Sequence, residues 1–552
     1  HPRHAAAGAL AMLLADIDAV NAGRVLRFVD GLGHRRTIQQ LAASVGLGER
    51  VQSILDDDPL LQKGVKLPTI PAWAKHAALP ALKDVDGTTW TPERVDSLVV
   101  RLATSNPDEV NPVVTAARQS LDKPAAAAFA RALFDAWLGD GADAKHVFAM
   151  HALGFFGDDA SIRHLATLAK AWPAESAAAR AQMALDTFVL HGGDVALLQL
   201  AMISEKSKFA AFKKGAVERI TAIADMRGLT PDELADRLVP TLGLDDASSG
   251  SASTTIDFGA RRFFVTFDES LAPRVKDESG TLLKDLPKPN TSDDATLAAA
   301  GKKQLSALKR DVKAIADLLL RRFERMMIEG RRTDVDTFRA SFVEHPLTFH
   351  VARRVLWEAL DEGDKRIALF RIAEDKSFAD LNDDAWTLPA NARVRPVHPI
   401  DVDEVALTKA STVWGDYELL QPFAQLGRAV HRLGGSITDA PSSTTLSTHK
   451  GNVVPAPTLV FRLEGKGWKR YDIIDGGAFT NHAKLFGDVE AIIDYDGAVG
   501  IGYIEASENL TVGTVKVSSK KQRRALSLGE VPPRVLSEIV ADLDAALTTK
   551  GK

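Results

Sequence analysis

Two histidines, two arginines and a tryptophan crowd into "EHPLTFHVARRVLWEAL" (344–360), the acidic pair Glu374 and Asp375 follows, and His-Pro returns at 398–399. Imidazole, guanidinium and carboxylate groups together are what a polar ligand cleft requires. His345, Arg353, Arg354, Asp375 and His398 are therefore the candidate ligand-binding residues. The competing assignment is a buried charge network that pins a helix to a sheet. "WGDYELLQPFAQLGR" (414–428) brings Glu418 to the candidate set, with Asp416, Tyr417, Gln421, Gln425 and Arg428 beside it. Asp416 also reads as the N-cap of a helix over "YELLQPF". Paired carboxylates do acid/base work only where their surroundings split their pKa values, so no residue is assigned a catalytic role. His345 and His350 are five apart, not the four that present two imidazoles to one zinc from a helix face. No metal site and no cofactor is expected.

The elements that must position these groups follow from periodicity. His345-Pro346 marks a helix start, because proline is favoured at the first helical position. A helix from Pro346 would place Leu347, His350, Val351, Arg354 and Trp357 on one side, with Arg353 turned partly away. Upstream, residues 1–245 read as helix after helix, with short Gly, Asp and Pro breaks. "FFGDDASIRHLATLA" (155–169) aligns with "LHGGDVALLQLAMIS" (190–204), superposing Gly157 on Gly192, Asp159 on Asp194, Leu165 on Leu200 and Ala166 on Ala201, a period of 35. That period suits a HEAT-like helical-repeat solenoid, in which each helix pair buries its apolar face on the next. "GLGHRRTIQQLAA" (31–43) is a weaker third echo, and Thr91-Pro92 predicts a helix through Val95, Leu98, Val99 and Leu102.

After a Ser/Gly/Thr-rich link the texture changes. "RRFFVTF" predicts a strand, a second strand precedes a turn at Asp277 to Gly280, and Val312, Ile315, Leu319, Phe323 and Met326 form one stripe of a long helix. From 441 on, "PTLVFRL" and "WKRYDII" read as strands, with "GKGWKRYD" holding the turn between them. "AIIDYDGAVGIGYI" reads as a hairpin turning at Asp496-Gly497. Pro533 opens a closing helix that buries Leu536, Ile539, Val540 and Leu543. The expected class is multidomain α+β: a helical-repeat region over 1–245, a mixed core over 246–440 and a β-rich part over 441–552.

Bulk properties exclude some classes. The 552 residues exceed what one core serves, and 68 Lys+Arg against 73 Asp+Glu leave a net charge of −5, which argues against bulk adhesion to nucleic acid or membrane. The basic residues Lys313, Arg321, Arg322, Arg325, Arg331 and Arg332, and the run "SSKKQRRALSL" (518–528), are local patches at most. Cysteine is absent, which removes disulfides and thiolate chemistry and fits a reducing, cytoplasmic location. No apolar run approaches the ~20 residues that span a bilayer. The motifs G-x-x-x-x-G-K-[ST], G-x-G-x-x-G after a strand, G-x-S-x-G and H-E-x-x-H are all missing. The start "HPRHAAAGAL" lacks an initiator methionine and suggests a piece of a longer or processed chain.

The succession "DFGARRFFVTFDESLAPRV", "LKDLPKP", "RRFERMMIEGRR", "EHPLTFHVARRVLW", "FRIAEDKSFAD", "VHPIDVDE", "DYELLQPFAQLGR", "AIIDYDGAVGIGYIE" and "LSLGEVPPRVLSEIVADL" resembles the bacterial DUF4132 domain, with order and spacing kept over 230–552. The resemblance implies company with HEAT-like repeats and sometimes a WGR module, in proteins similar to the molybdate metabolism regulators; this chain has no WGR string. It implies no settled activity. The functional expectation is a non-enzymatic interaction or regulatory scaffold that binds a protein partner through its helical repeats. The alternatives are a ligand-binding or enzymatic module using the His/Arg/Asp cleft, and a nucleic-acid-associated regulator, the less favoured partner class. No membrane contact is expected.

Overall fold

The protein is seen in a computed structural model that describes residues 69–547 except 106, 108–109, 238, 245–252 and 475–476, together with Gly46 and Glu49. The echo at 31–43 lies outside the described residues. The chain divides into two compact units, 1–240 and 241–552. The region expected as separate from 441 on belongs to the second unit.

The described part of the first unit is helical: α1 (Pro92–Ala103), α2 (Pro112–Ser120), α3 (Lys123–Gly139), α4 (Phe148–Phe156), α5 (Asp159–Ala171), α6 (Ala178–His191), α7 (Asp194–Lys206), α8 (Ala210–Met226) and α9 (Pro231–Arg237). Their starts follow local chemistry. Thr91, Asn111, Asp122 and Asp158 each accept a hydrogen bond from the first turn they precede. Val95, Leu98, Val99 and Leu102 are buried as the sequence predicts. The 35-residue echo marks two helical hairpins in the same phase, with Gly157 between α4 and α5 and Gly192 between α6 and α7. Asp159 and Asp194 open the second helix of each. α4 packs on α6, and α5 on α7. The α4–α6 approach is close enough that a Cβ on Gly154 would stand 2.7 Å from the Leu190 Cβ.

The second unit combines three antiparallel sheets with helices. β1 (Thr254–Asp257), β2 (Arg262–Phe267), β3 (Pro273–Asp277) and β4 (Leu282–Leu283) form a meander in sequence order, turning at Gly280. The long helix α10 (Ala295–Glu329) follows, capped by Asp294 and ended by Gly330 in the left-handed region. The stripe Val312, Ile315, Leu319, Phe323 and Met326 is buried. Gly301 lets the helix meet Ile256 and Phe258 of the first sheet.

Next come β5 (Thr333–Asp334), α11 (Val335–Phe338), α12 (Thr348–Ala352), β6 (Trp357–Leu360), β7 (Arg366–Ile372), β8 (Phe378–Asp380), β9 (Ala385–Trp386) and β10 (Arg393–Pro396). The second sheet runs β5-β10-β6-β7-β8-β9. Its core is aromatic: the Phe338 and Trp357 ring centroids are 4.9 Å apart and those of Phe323 and Phe342 5.1 Å. α13 (Glu404–Asp416) leads to β11 (Thr445–Leu446), β12 (Val453–Pro455), α14 (Ala456–Gly465), β13 (Lys469–Tyr471), β14 (Ala478–Phe486), β15 (Val489–Gly500), β16 (Asn509–Ser519), β17 (Arg524–Ala525) and α15 (Pro533–Leu547). The third sheet runs β11-β16-β15-β14-β13, with β12 and β17 also on β16. α15 buries Leu536, Ile539, Val540 and Leu543 in the core it shares with this sheet and α14. Among the described residues no helix is long and apolar enough to cross a membrane.

Five expectations are corrected. "PTLVFRL" lies in helix α14, where Leu459, Val460 and Leu463 fall on one buried side against α15; a short apolar run fits either period, and the facing helix selects this one. "GKGWKRYD" accordingly turns from that helix into β13. Asp496-Gly497 makes no hairpin, because β15 runs through it with Asp496 paired to Thr511, and Gly497, at φ 105°, accompanies an irregular register. β14 and β16 flank β15 and hold it extended, and the reversals fall at 487–488 and 501–508. Asp416 is the last residue of α13, not a cap, and "YELLQPF" is not helical. The helix after Pro346 ends at Ala352, and Trp357 opens β6.

Candidate functional site

α12 is short because its end is fastened from outside. His345 provides the start: its Nδ1 accepts the N–H groups of Leu347 and Thr348, each at 3.2 Å. At the other end the Trp357 indole donates to the Ala352 carbonyl at 2.8 Å and that of Trp414 to the Arg354 carbonyl at 3.1 Å. These bonds tie the turn to β6 and α13 and leave His350, Arg353 and Arg354 on one short stretch.

The charges around that stretch are unevenly matched. Arg353 Nη2 reaches Glu374 Oε1 at 2.7 Å; the Arg353 side chain is 11% exposed, that of Glu374 80%. Lys376 pairs with Glu344 at 2.9 Å, and both it and Arg353 lie over the Phe349 ring. Arg354 donates from Nε to the His350 carbonyl at 2.9 Å and from Nη1 to the Leu420 carbonyl at 3.3 Å. Burial lowers its pKa, with Glu269 and Asp268 the carboxylates that act on it from further off. Burial, then the Arg353 and Arg354 charges, push His350 down to about 4, so its ring is neutral near pH 7. Among the described residues, the buried His350 Nδ1 has no hydrogen-bond partner.

The other predicted site residues go elsewhere. His398 is fully buried: its Nδ1 accepts from the Ile400 N–H at 3.1 Å and its Nε2 lies 3.2 Å from Glu538 Oε1. Arg428 grips Glu538 with Nε at 2.6 Å and Nη2 at 2.5 Å, and reaches Glu324 at 2.8 Å. This is a charge network that pins α10, α15 and the His-Pro segment together. Gln425 belongs to the same packing, bonded to Leu356 and to the Val397 carbonyl. Asp375 holds the β7–β8 turn through the Ser377 hydroxyl at 2.6 Å and N–H at 3.0 Å, contacts that lower its pKa. Glu418 follows α13 at φ 53°. Of the predicted residues, then, Arg353 and Arg354 sit with His350 and Glu374, His345 caps the same turn, and His398, Asp375 and Glu418 have separate surroundings.

Sequence reasoning missed two clusters. Glu358, on β6, is fully buried between Arg395 Nε at 2.6 Å and Arg366 Nε at 2.8 Å, while Arg534 binds Asp401 close by. A lone acid inside the apolar run "VLWEAL" was the available signal. Asp544 on α15 lies 2.6 Å from His449 Nε2 and 3.3 Å from His431 Nε2, partners too distant in sequence to leave any pattern. Among the described residues no group of three or more His, Asp or Glu is placed to hold a metal ion.

Within the basic stretches three cations hold carboxylates. Arg332 pairs with Asp364, Lys520 with Glu490 at 2.7 Å and Arg524 with Glu530 at 2.7 Å. In the first unit an open groove of about 530 Å³ runs between the starts of α3 and α5, lined by Lys123, Ala127, Ala128, Arg131, Asp158 and Ala160.

The chain is 36% identical over 345 residues to the uncharacterised protein YehI of Escherichia coli K12, an alignment that covers 62% of this chain and 28% of that protein. The chain thus spans little more than a quarter of that relative's length. No solved structure matches it. Residues 280–468 match the family described as a domain of unknown function, DUF4132, and the cluster at 344–376 lies inside the match. Over this stretch the chain is similar to the DUF4132 domain.

Proposed function

We propose that the protein is a non-enzymatic interaction or regulatory scaffold, acting in the cytoplasm, whose helical unit binds a protein partner. The observation that carries this reading is the open groove between α3 and α5, on a unit built from helical hairpins that repeat in phase. Stacked hairpins of the HEAT-like kind expose long surfaces of this sort. Ala128 and Ala160 line the groove and are exposed, so they can be enlarged without disturbing the core. In the full chain, Ala128→Arg with Ala160→Arg is expected to abolish capture of partners retained by the unmodified protein, with an unchanged melting temperature. Retention of every partner by the folded double variant would count against the reading.

A second reading, a ligand-binding DUF4132 module, is favoured by the orphaned His350 Nδ1 beside Arg353 and Arg354. A nucleic-acid role is less supported, because Arg332, Lys520 and Arg524 each already hold a carboxylate. Nucleic-acid binding that did not weaken with salt would argue against that role altogether.

A further inference from the structure

We propose that His350, Arg353 and Arg354 form a binding site for a phosphate group. The first observation is the state of Arg354. Its two hydrogen bonds go to neutral carbonyls, those of His350 and Leu420, and among the described residues it makes no ion pair. A guanidinium that is partly desolvated and lacks an anion is costly, and the cost is relieved when an oxyanion arrives. The second observation is independent: His350 Nδ1, on the same turn, is buried and has no hydrogen-bond partner among the described residues. Arg353 adds a second guanidinium, whose acid, Glu374, stands mostly in solvent.

The surrounding charges are accounted for. Lys376 is held by Glu344, and Asp268 by Arg274 together with the Ser270 and Ala272 N–H groups. That leaves Arg354 facing Glu269, which acts on it only from beyond ion-pair distance. Two guanidiniums adjacent in the chain suit a dianion better than a monoanion, and an imidazole from the same turn adds a further group able to donate, which suits an anion with several oxygens. A free phosphate and a phosphate ester share this chemistry. The site belongs to the DUF4132 stretch and does not depend on the scaffold reading of the helical unit.

The test is calorimetric titration of the full chain with inorganic phosphate, glycerol phosphate and acetate. Saturable binding of phosphate or of its ester, with acetate much weaker, is expected; the tighter of the two identifies the natural source. Arg354→Gln should weaken binding by about tenfold or more, Arg354→Lys by less because charge remains without the fork, and Glu269→Gln should tighten it by removing the facing carboxylate. Selective labelling of histidine supplies a readout that loss of fold would not mimic. The His350 resonance, which faces Arg353, Arg354, Asp268 and Lys376, should titrate near 4 in the free protein and at higher pH with phosphate bound. Absence of saturable binding, equal binding of acetate, or a folded Arg354→Gln protein that binds phosphate as the unmodified chain does would overturn the assignment.

Discussion

At the scale of single residues, buried charge decides more than the apparent chemistry of the sequence. Glu358 has no exposure and serves Arg395 and Arg366 together. Glu358→Ala should lower stability by about 3 kcal/mol in urea unfolding, since it leaves the partly buried Arg395 and Arg366 guanidiniums without their shared carboxylate. Glu538 gives a pH signature. Burial alone would raise its pKa, but Arg428 and His398 outweigh burial and hold it at about 2, below its usual 4.5. The folded state then binds fewer protons than the unfolded one, so this contribution is complete above pH 4.5 and is lost as pH falls through 2. Glu538→Gln should therefore remove part of the acid sensitivity of the urea midpoint between those pH values. His350, held at about 4 against a usual 6.5, acts with the same sign at higher pH: its contribution fades as pH drops from 6.5 to 4. His350→Gln should flatten that part of the stability profile.

At the scale of elements, caps and stripes were readable and short apolar runs were not. The helix at Pro92, the stripe of α10 and the closing helix at Pro533 each had a start signal and several turns of consistent spacing. α13 is capped by Asp403, which accepts the Ala406 N–H at 2.8 Å, so its start signal lies upstream of Asp416. Asp403→Ala is expected to cost about 1 kcal/mol, measured by thermal or urea unfolding, because it orphans a first-turn donor. "PTLVFRL" and Asp496-Gly497 failed for one reason: a run of a few residues takes the conformation its neighbours impose. α14 is helical where α15 covers it, and β15 is straight where two strands flank it. Gly301→Val should cost about 1–3 kcal/mol, since its Cβ would enter the space of Ile256 and Phe258.

At the scale of the whole molecule, residue types and local spacing determined the helical first half, the strand-bearing second half, the long stripe of α10, the lack of cysteine chemistry and the DUF4132 resemblance. All of these depend on composition or on contacts within a few turns of chain. Tertiary structure alone decided which polar residues meet. His345 became a cap, and His398 joined Glu538 across 140 positions. Glu358 found Arg395 because β6 and β10 pair in one register. Arg354 ended without an ion pair among the described residues because the chain returns to it with the Leu420 carbonyl rather than a carboxylate. The physical reason is the range of the forces. Helix periodicity and capping are written in neighbouring residues, whereas desolvation and ion pairing depend on what the fold brings from far along the chain.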